Sequence, residues 1–130
     1  MALSAGNKAY RRAVAVVTAV KNRAYRAHLQ LMGGVAIHPT ATVSSRAVFQ
    51  LTSRGGKGPQ VAVGPRAKIK EFAVIGPRSG TIRIGENSTI NPFCVLLGYG
   101  GSTIGDNVRI AAGTSIVSFN HNFDDADVPI

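Results

Sequence analysis

The sequence predicts an all-β solenoid of short parallel strands preceded by one α-helix. Residues 4–32 contain no Pro, are rich in Ala and are followed by Gly33-Gly34, which is typical of a helix and its stop. From Val35 onward, aliphatic residues recur every six positions, a spacing that fits neither a helix nor an isolated amphipathic strand. The chain therefore divides into residues 1–33, an N-terminal amphipathic basic helix, and residues 34–130, the repeat domain.

The repeat domain contains four groups of three hexads, each marked by an aliphatic or aromatic residue. The marked positions are Ile37, Val43 and Phe49; Val63, Ile69 and Ile75; Ile84, Ile90 and Leu96; and Ile104, Ile110 and Ile116. A small or modest residue stands two positions before most of them. Three hexads form one triangular coil, so we expect four stacked coils with the aliphatic side chains pointing inward.

Extra residues interrupt the hexads in three places. They number eight around 52–59, three around 78–80 and two around 99–101. All three follow a third hexad, so we expect them to stack along one corner of the prism. Glycines also follow several hexads, at Gly64, Gly76, Gly85 and Gly105, where we expect turns with a demanding φ.

The charge is strongly positive and unevenly distributed. The formal net charge is +9, six of the fifteen bases precede Gly33, and Asp124, Asp125 and Asp127 follow His121. A basic end and an acidic end favour two different partners over one nucleic-acid surface, and the few aromatic residues do not interleave with the bases. We therefore expect no nucleic-acid partner.

The single cysteine, Cys94, allows no internal disulfide and favours a reducing compartment, which is consistent with a cytoplasmic protein. Its place in a hexad predicts a buried packing residue. No apolar run reaches the length of a membrane span, and the N-terminal bases argue against a signal peptide.

The N-terminal helix has two interpretations. At 100° per residue, one face carries Tyr10, Ala13, Val14, Val17, Val20, Ala24 and Leu31, and the bases lie opposite. The functional interpretation is a helix lying on the anionic inner face of a membrane. The favoured alternative is that the Ala/Val face packs on the rest of the protein or on a sister subunit, because its residues are small and no Trp or Phe anchors it.

Four features of the sequence resemble the hexapeptide-repeat acyltransferases. They are the hexads, the segment 96–110 (Leu-Leu-Gly-Tyr-Gly-Gly-Ser-Thr-Ile-Gly-Asp-Asn-Val-Arg-Ile), Asn-His-Asn-Phe at 120–123 and Val-Pro-Ile at 128–130. The resemblance implies a left-handed parallel β-helix. The most similar branch O-acetylates surface polysaccharides and lipid-linked sugars. It implies acetyl-CoA as co-substrate, no metal, a homotrimer, and a sugar or lipid-linked glycan as acceptor.

Family members continue after Pro-Ile with further coils that carry most of the acetyl-CoA groove. The resemblance therefore implies that residues 34–130 are an incomplete acyltransferase domain that lacks C-terminal coils. It leaves the residues that bind acetyl-CoA unassigned.

Transfer of an acetyl group to a hydroxyl needs a general base, and neutral imidazole suits that task near neutral pH. By resemblance, His121 is this base. Asp124, Asp125 or Asp127 would orient its ring, although a backbone carbonyl would serve equally well. For acceptor binding, the resemblance implies Asn91 and the loop acids, represented by Asp124, while Asn120 adjoins His121 and Tyr99 lies one coil below.

His38 is expected to be a turn residue of the first coil, far from His121. A metal site in this kind of fold needs three His ligands. Because His38 and His121 are far apart along the solenoid and no third His joins them, we predict no metal site. Two rival functions stay open. In the first, the chain is a truncated, inactive β-helix that acts only in assembly or docking. In the second, it is a sugar-nucleotide N-acetyltransferase that acts on an amine.

Overall fold

The structure, a computed structural model, describes residues 5–52 and 58–119. Helix α1 spans Ala5–Leu31. It ends at Gly33 and Gly34, whose φ angles of 76° and 79° lie in the left-handed region that glycine adopts without steric cost. The helix and its stop are therefore confirmed to within one residue of the predicted ends.

Twelve short parallel strands follow. They are β1 (Val35–Ile37), β2 (Thr42–Val43), β3 (Val48–Phe49), β4 (Val61–Val63), β5 (Lys68–Ile69), β6 (Val74–Gly76), β7 (Ile82–Ile84), β8 (Thr89–Ile90), β9 (Val95–Leu97), β10 (Ser102–Ile104), β11 (Arg109–Ile110) and β12 (Ser115–Val117). The first sheet has the order β1-β4-β7-β10, the second β2-β5-β8-β11 and the third β3-β6-β9-β12. The chain thus forms four coils of a left-handed parallel β-helix, as predicted.

The strand register reproduces the interruptions counted in the sequence. Val35 lies opposite Val61, Val61 opposite Ile82, and Ile82 opposite Ser102. These offsets of 26, 21 and 20 residues exceed three hexads by eight, three and two. The extra residues therefore leave the strand pairing intact and are accommodated between strands.

The core is a column of hexad side chains. Val43, Ile69, Ile75, Ile90 and Leu96 are buried, and small residues such as Ala67 and Cys94 fill the space beside them. Burying one large aliphatic side chain contributes about 1.5–3 kcal/mol, which is how strands of two or three residues are held in place. The Sγ atom of Cys94 lies 3.0 Å from the carbonyl oxygen of Ala111, which confirms its predicted packing role.

The prediction about the turn glycines is wrong. Gly64, Gly76, Gly85 and Gly105 do not have positive φ angles; the left-handed residues come two positions later, at Arg66, Arg78, Asn87 and Asn107. Gly64 and Gly76 are needed instead because neighbouring atoms come so close that a Cβ would not fit. A Cβ on Gly64 would lie 3.0 Å from the carbonyl oxygen of Ile84, and one on Gly76 would lie 2.9 Å from Leu97 Cδ2.

Helix α1 packs on the first coil. Side chains of the helix donate hydrogen bonds to carbonyl oxygens of that coil: Tyr25 Oη to Ala47 at 2.7 Å, Arg26 to Pro39 at 2.8 Å and Gln30 to Ile37 at 3.3 Å. Strand edges expose unpaired backbone groups, so these donors protect the edge that the first coil presents. Leu29 is buried in the same contact, and burial raises the pKa of the Tyr25 hydroxyl.

Most of the Ala/Val face of α1 does not make this contact, although Val14 and Val17 line a cavity with Ser45 of the first coil. Its predicted packing on the rest of the protein is therefore largely wrong, and the alternative, packing on a sister subunit, stays a prediction. Val17 and Val20 are exposed, and Tyr10 is 71% exposed. Tyr25 and Leu29, at the margin of that face and beyond it, offer larger side chains to the coil, and the Tyr25 hydroxyl reaches a carbonyl. Within residues 5–52 and 58–119, no helix is both long and apolar enough to span a bilayer.

Candidate active-site corner

The insertions collect at the corner between the third and first sheets, as predicted for the part of the chain that is described. Thr52, Arg78, Ser79, Tyr99 and Ser118-Phe119 follow β3, β6, β9 and β12 there, and we call this set the loop corner. Thr52 Oγ1 donates to the carbonyl oxygen of Arg78 at 2.9 Å, and Ser79 Oγ donates to that of Tyr99 at 2.9 Å. Each insertion is therefore hydrogen-bonded to the one in the next coil.

Tyr99 lies one coil below the segment that leads to the predicted base. Its ring centroid is 4.4 Å from that of Phe119, with the two planes at 56°. The Gly100 amide donates to the carbonyl oxygen of Ser118 at 3.0 Å. Tyr99 therefore lies against Phe119. Asn120, His121 and Asp124 lie outside the described residues, so the approach of Tyr99 to His121 stays a prediction.

Arg78 is a candidate functional residue that the sequence did not single out. Its Cζ atom lies 5.8 Å from the centroid of the Tyr99 ring, and its buried Nε atom has no hydrogen-bond partner in the described part of the chain. An unpaired buried N–H of a charged group is costly, so such groups need an explanation. Because a guanidinium carries five donors and matches carboxylate or phosphate geometry, Arg78 is suited to an anionic ligand group.

The signal that would have found Arg78 is its place in the second insertion, Arg78-Ser79-Gly80. In the described ranges, the ion pair between side chains is that of Arg66 with Glu86, and Arg78 has no carboxylate within ion-pair distance. The loop corner therefore holds a cation beside an exposed tyrosine.

Asn91 lies elsewhere. It follows β8 at the corner between the second and third sheets, and its Nδ2 donates to the carbonyl oxygen of Ile110 at 2.7 Å. This bond gives Asn91 a role in linking the third and fourth coils. The structure places Asn91 and Tyr99 at different corners and does not bring them together, so acceptor binding by Asn91 stays a prediction.

A second set of side chains occupies the corner of Asn91. Phe72 and Phe93 stack there with ring centroids 5.1 Å apart and planes at 16°, and Arg46 Cζ lies 5.9 Å from the Phe72 ring. Both phenylalanines have positive φ angles, 60° and 62°, and both are exposed. We call Arg46, Phe72 and Phe93 the aromatic corner.

His38 serves as a turn residue, as predicted. Its Nδ1 lies 2.9 Å from Thr40 Oγ1 and accepts a hydrogen bond from the Thr40 amide at 3.2 Å. Among the residues that the structure describes, no three His, Cys, Asp or Glu side chains are grouped so as to hold a metal ion.

Comparison of the chain with protein-family models, with curated proteins and with solved structures finds no match. The fold is therefore established by the strand pairing itself.

Proposed function

We propose that this chain is part of an acetyltransferase that moves an acetyl group from acetyl-CoA to a hydroxyl of a sugar or surface-polysaccharide precursor. The observation that supports it best is the loop corner, where insertions from successive coils meet and Phe119 packs on Tyr99. His121 is two residues beyond Phe119, and two residues extend at most about 7 Å. This short reach supports a site that includes Tyr99 and Arg78.

In the proposed reaction, His121 takes the proton of the acceptor hydroxyl as its oxygen attacks the acetyl carbonyl. The C–S bond of the thioester breaks, the CoA thiolate leaves, and the imidazolium returns the proton to it. Positioned general-base catalysis of this kind contributes typically about 10²–10⁴-fold to the rate.

The two described residues of the site would hold the acceptor. The Tyr99 hydroxyl would hydrogen-bond a sugar hydroxyl, and Arg78 would pair with a negatively charged group such as the phosphate of a lipid-linked sugar. Asn91, Asn120 and Asp124 remain proposed acceptor ligands by resemblance. Three-fold assembly of the cytoplasmic enzyme is part of the same proposal.

The test is acetyl transfer to a panel of simple glycosides, measured by release of the free CoA thiol, for the native chain, His121→Ala and His38→Ala. His38→Ala is the matched control, because that histidine serves a turn of the first coil. We expect His121→Ala to lower kcat by about 10²–10⁴-fold and His38→Ala to leave it within about two-fold.

Unchanged transfer by His121→Ala would overturn the assignment of the base. Transfer to amino sugars in place of glycosides would favour the N-acetyltransferase. No transfer by a folded native chain, together with none by a longer protein that contains it, would favour a role in assembly or docking.

A further inference from the structure

We propose that α1 binds the protein to an anionic phospholipid surface through the face that points away from the β-helix. Asn22, Tyr25 and Leu29 define the side of α1 that contacts the first coil: Asn22 accepts a hydrogen bond from the Ser45 amide at 2.7 Å, and Leu29 is only 4% exposed. The 100° rotation per residue then fixes which side chains lie opposite.

The opposite side of α1, which we call the outer face, is apolar along its whole length. It consists of Ala9, Val16, Val20, Ala24, Ala27 and Leu31, and all of these are exposed. Ala13 and Val17 flank it and also line a cavity beside Ser45 of the first coil. Val16 is 63%, Val20 61% and Leu31 87% exposed. An apolar stripe over about six turns of an otherwise docked helix needs a partner, since exposed contiguous apolar surface marks interaction sites.

The charges of α1 identify the chemistry of that partner. Six bases and no acid lie within Ala5–Leu31. Arg12 and Arg23 lie at one margin of the outer face and Lys21 at the other, and all three are exposed. In the described ranges, none of the six bases is paired with a carboxylate.

This arrangement fits a lipid surface. Long basic side chains at the margins of an apolar stripe place their charges at the level of the lipid phosphates while the stripe enters the boundary with the acyl chains. Tyr10, near the outer face, has the apolar ring and polar hydroxyl that suit this boundary. A second copy of the chain fits less well, because two outer faces brought together would oppose like charges with no acid in either helix.

The experiment is vesicle flotation with two lipid compositions, phosphatidylcholine alone and phosphatidylcholine with about 30% phosphatidylglycerol. Three chains are compared: the native protein, the double variant Arg12→Glu/Arg23→Glu, and the double variant Lys68→Glu/Arg83→Glu. The last is the matched control, since it makes the same change in net charge at exposed strand positions of the β-helix. A fourth chain, Val20→Asp, tests the apolar contribution.

We expect the native protein and the control to float with the anionic vesicles and not with the neutral ones. The helix double variant and Val20→Asp should float at least about ten-fold less, and raised salt should weaken native binding. Equal flotation with both lipids, or native-like flotation of the helix double variant, would overturn the proposal. So would a lipid-free oligomer that Val20→Asp dissociates while no flotation occurs, which would identify a second copy as the partner. These outcomes do not depend on acetyl transfer.

Discussion

An arginine lies over an aromatic ring at two corners of this β-helix. At the aromatic corner Arg46 lies 5.9 Å from the Phe72 ring, and at the loop corner Arg78 lies 5.8 Å from the Tyr99 ring. At each corner a second ring lies in the next coil. The centroid of Phe93 is 5.1 Å from that of Phe72, and the centroid of Phe119 is 4.4 Å from that of Tyr99. The cation and its ring pair are therefore a construction that the scaffold uses more than once.

The corners differ in what surrounds the cation and its ring pair. At the aromatic corner the chain turns without insertions, and the rings are stacked nearly parallel. At the loop corner inserted residues bring hydroxyl groups and Arg78 together, and Arg78 Nε is left without a partner in the described residues. An arginine over a pair of rings therefore does not by itself mark a site. What distinguishes the loop corner is a polar group, Arg78 Nε, that has no hydrogen-bond partner among the described residues.

The largest expected difference concerns one glycine at each corner. A Cβ added to Gly80, in the loop-corner insertion, would overlap the carbonyl oxygen of Gly98. Gly113 lies at the aromatic corner, one coil beyond Phe93, and a Cβ added there would meet no atom within 4 Å. We expect Gly80→Ala to lower the free energy of unfolding by about 3 kcal/mol or more, because the backbone must move. Gly113→Ala, at φ 75°, should cost about 1–2 kcal/mol.

Urea unfolding curves of the two glycine variants measure this difference. Equal losses of stability would show that the loop corner is not packed as tightly as the contact with Gly98 implies.

The next effect compares the two arginines. Arg78→Ala should lower kcat/KM for transfer by about ten-fold or more, since a hydrogen bond to a charged group contributes about 1.5–3 kcal/mol. Arg46→Ala removes a similar cation–ring contact and should lower the free energy of unfolding by about 0.5–1 kcal/mol. Arg78→Ala should cost less, because it also removes the buried, unpaired Nε–H. Arg46→Ala should nevertheless keep transfer within about two-fold.

Steady-state kinetics and unfolding curves of both arginine variants are the measurements. An equal decrease of transfer in the two variants would contradict the proposal that the loop corner binds the acceptor.

The smallest effect concerns one hydroxyl group. Tyr99→Phe keeps the ring over Arg78 and against Phe119 but removes the proposed donor to the acceptor, so kcat/KM should decrease by about two- to ten-fold. The reverse change at the other corner, Phe93→Tyr, adds a hydroxyl to an exposed ring and should leave transfer unchanged. Kinetics with the same glycoside measure both, and a native value for Tyr99→Phe would restrict Tyr99 to packing.

Much of the fold could be predicted because a hexad pattern reports directly which side chains face the core. Ile69 and Leu96 are buried where the pattern placed them, and the described residues of the insertions lie at one corner because they share a position in the coil. The turn glycines were misjudged, because close approach at Gly64 depends on the neighbouring coil. Steric crowding between coils leaves no local signal in six residues.

The candidate site was predicted less completely. Tyr99 lies beneath Phe119 because both follow strands of the third sheet, and its predicted approach to His121 stays a prediction. Arg78 and the Phe72–Phe93 pair were missed, since their partners lie 21 residues away along the chain, in the neighbouring coil. Which side of α1 would contact the first coil was also misjudged, because helical periodicity shows an apolar face but not what covers it.

The four coils, the strand register and the helix with its glycine stop follow from local periodicity and backbone preference, so they can be predicted from the sequence. Three features are set by contacts in three dimensions: the corner at which Arg78 meets Tyr99, the separation of Asn91 from that corner, and the outward direction of most of the Ala/Val face. These depend on contacts between coils, where stacking distance and hydrogen-bond partners are set by neighbours far away in the chain.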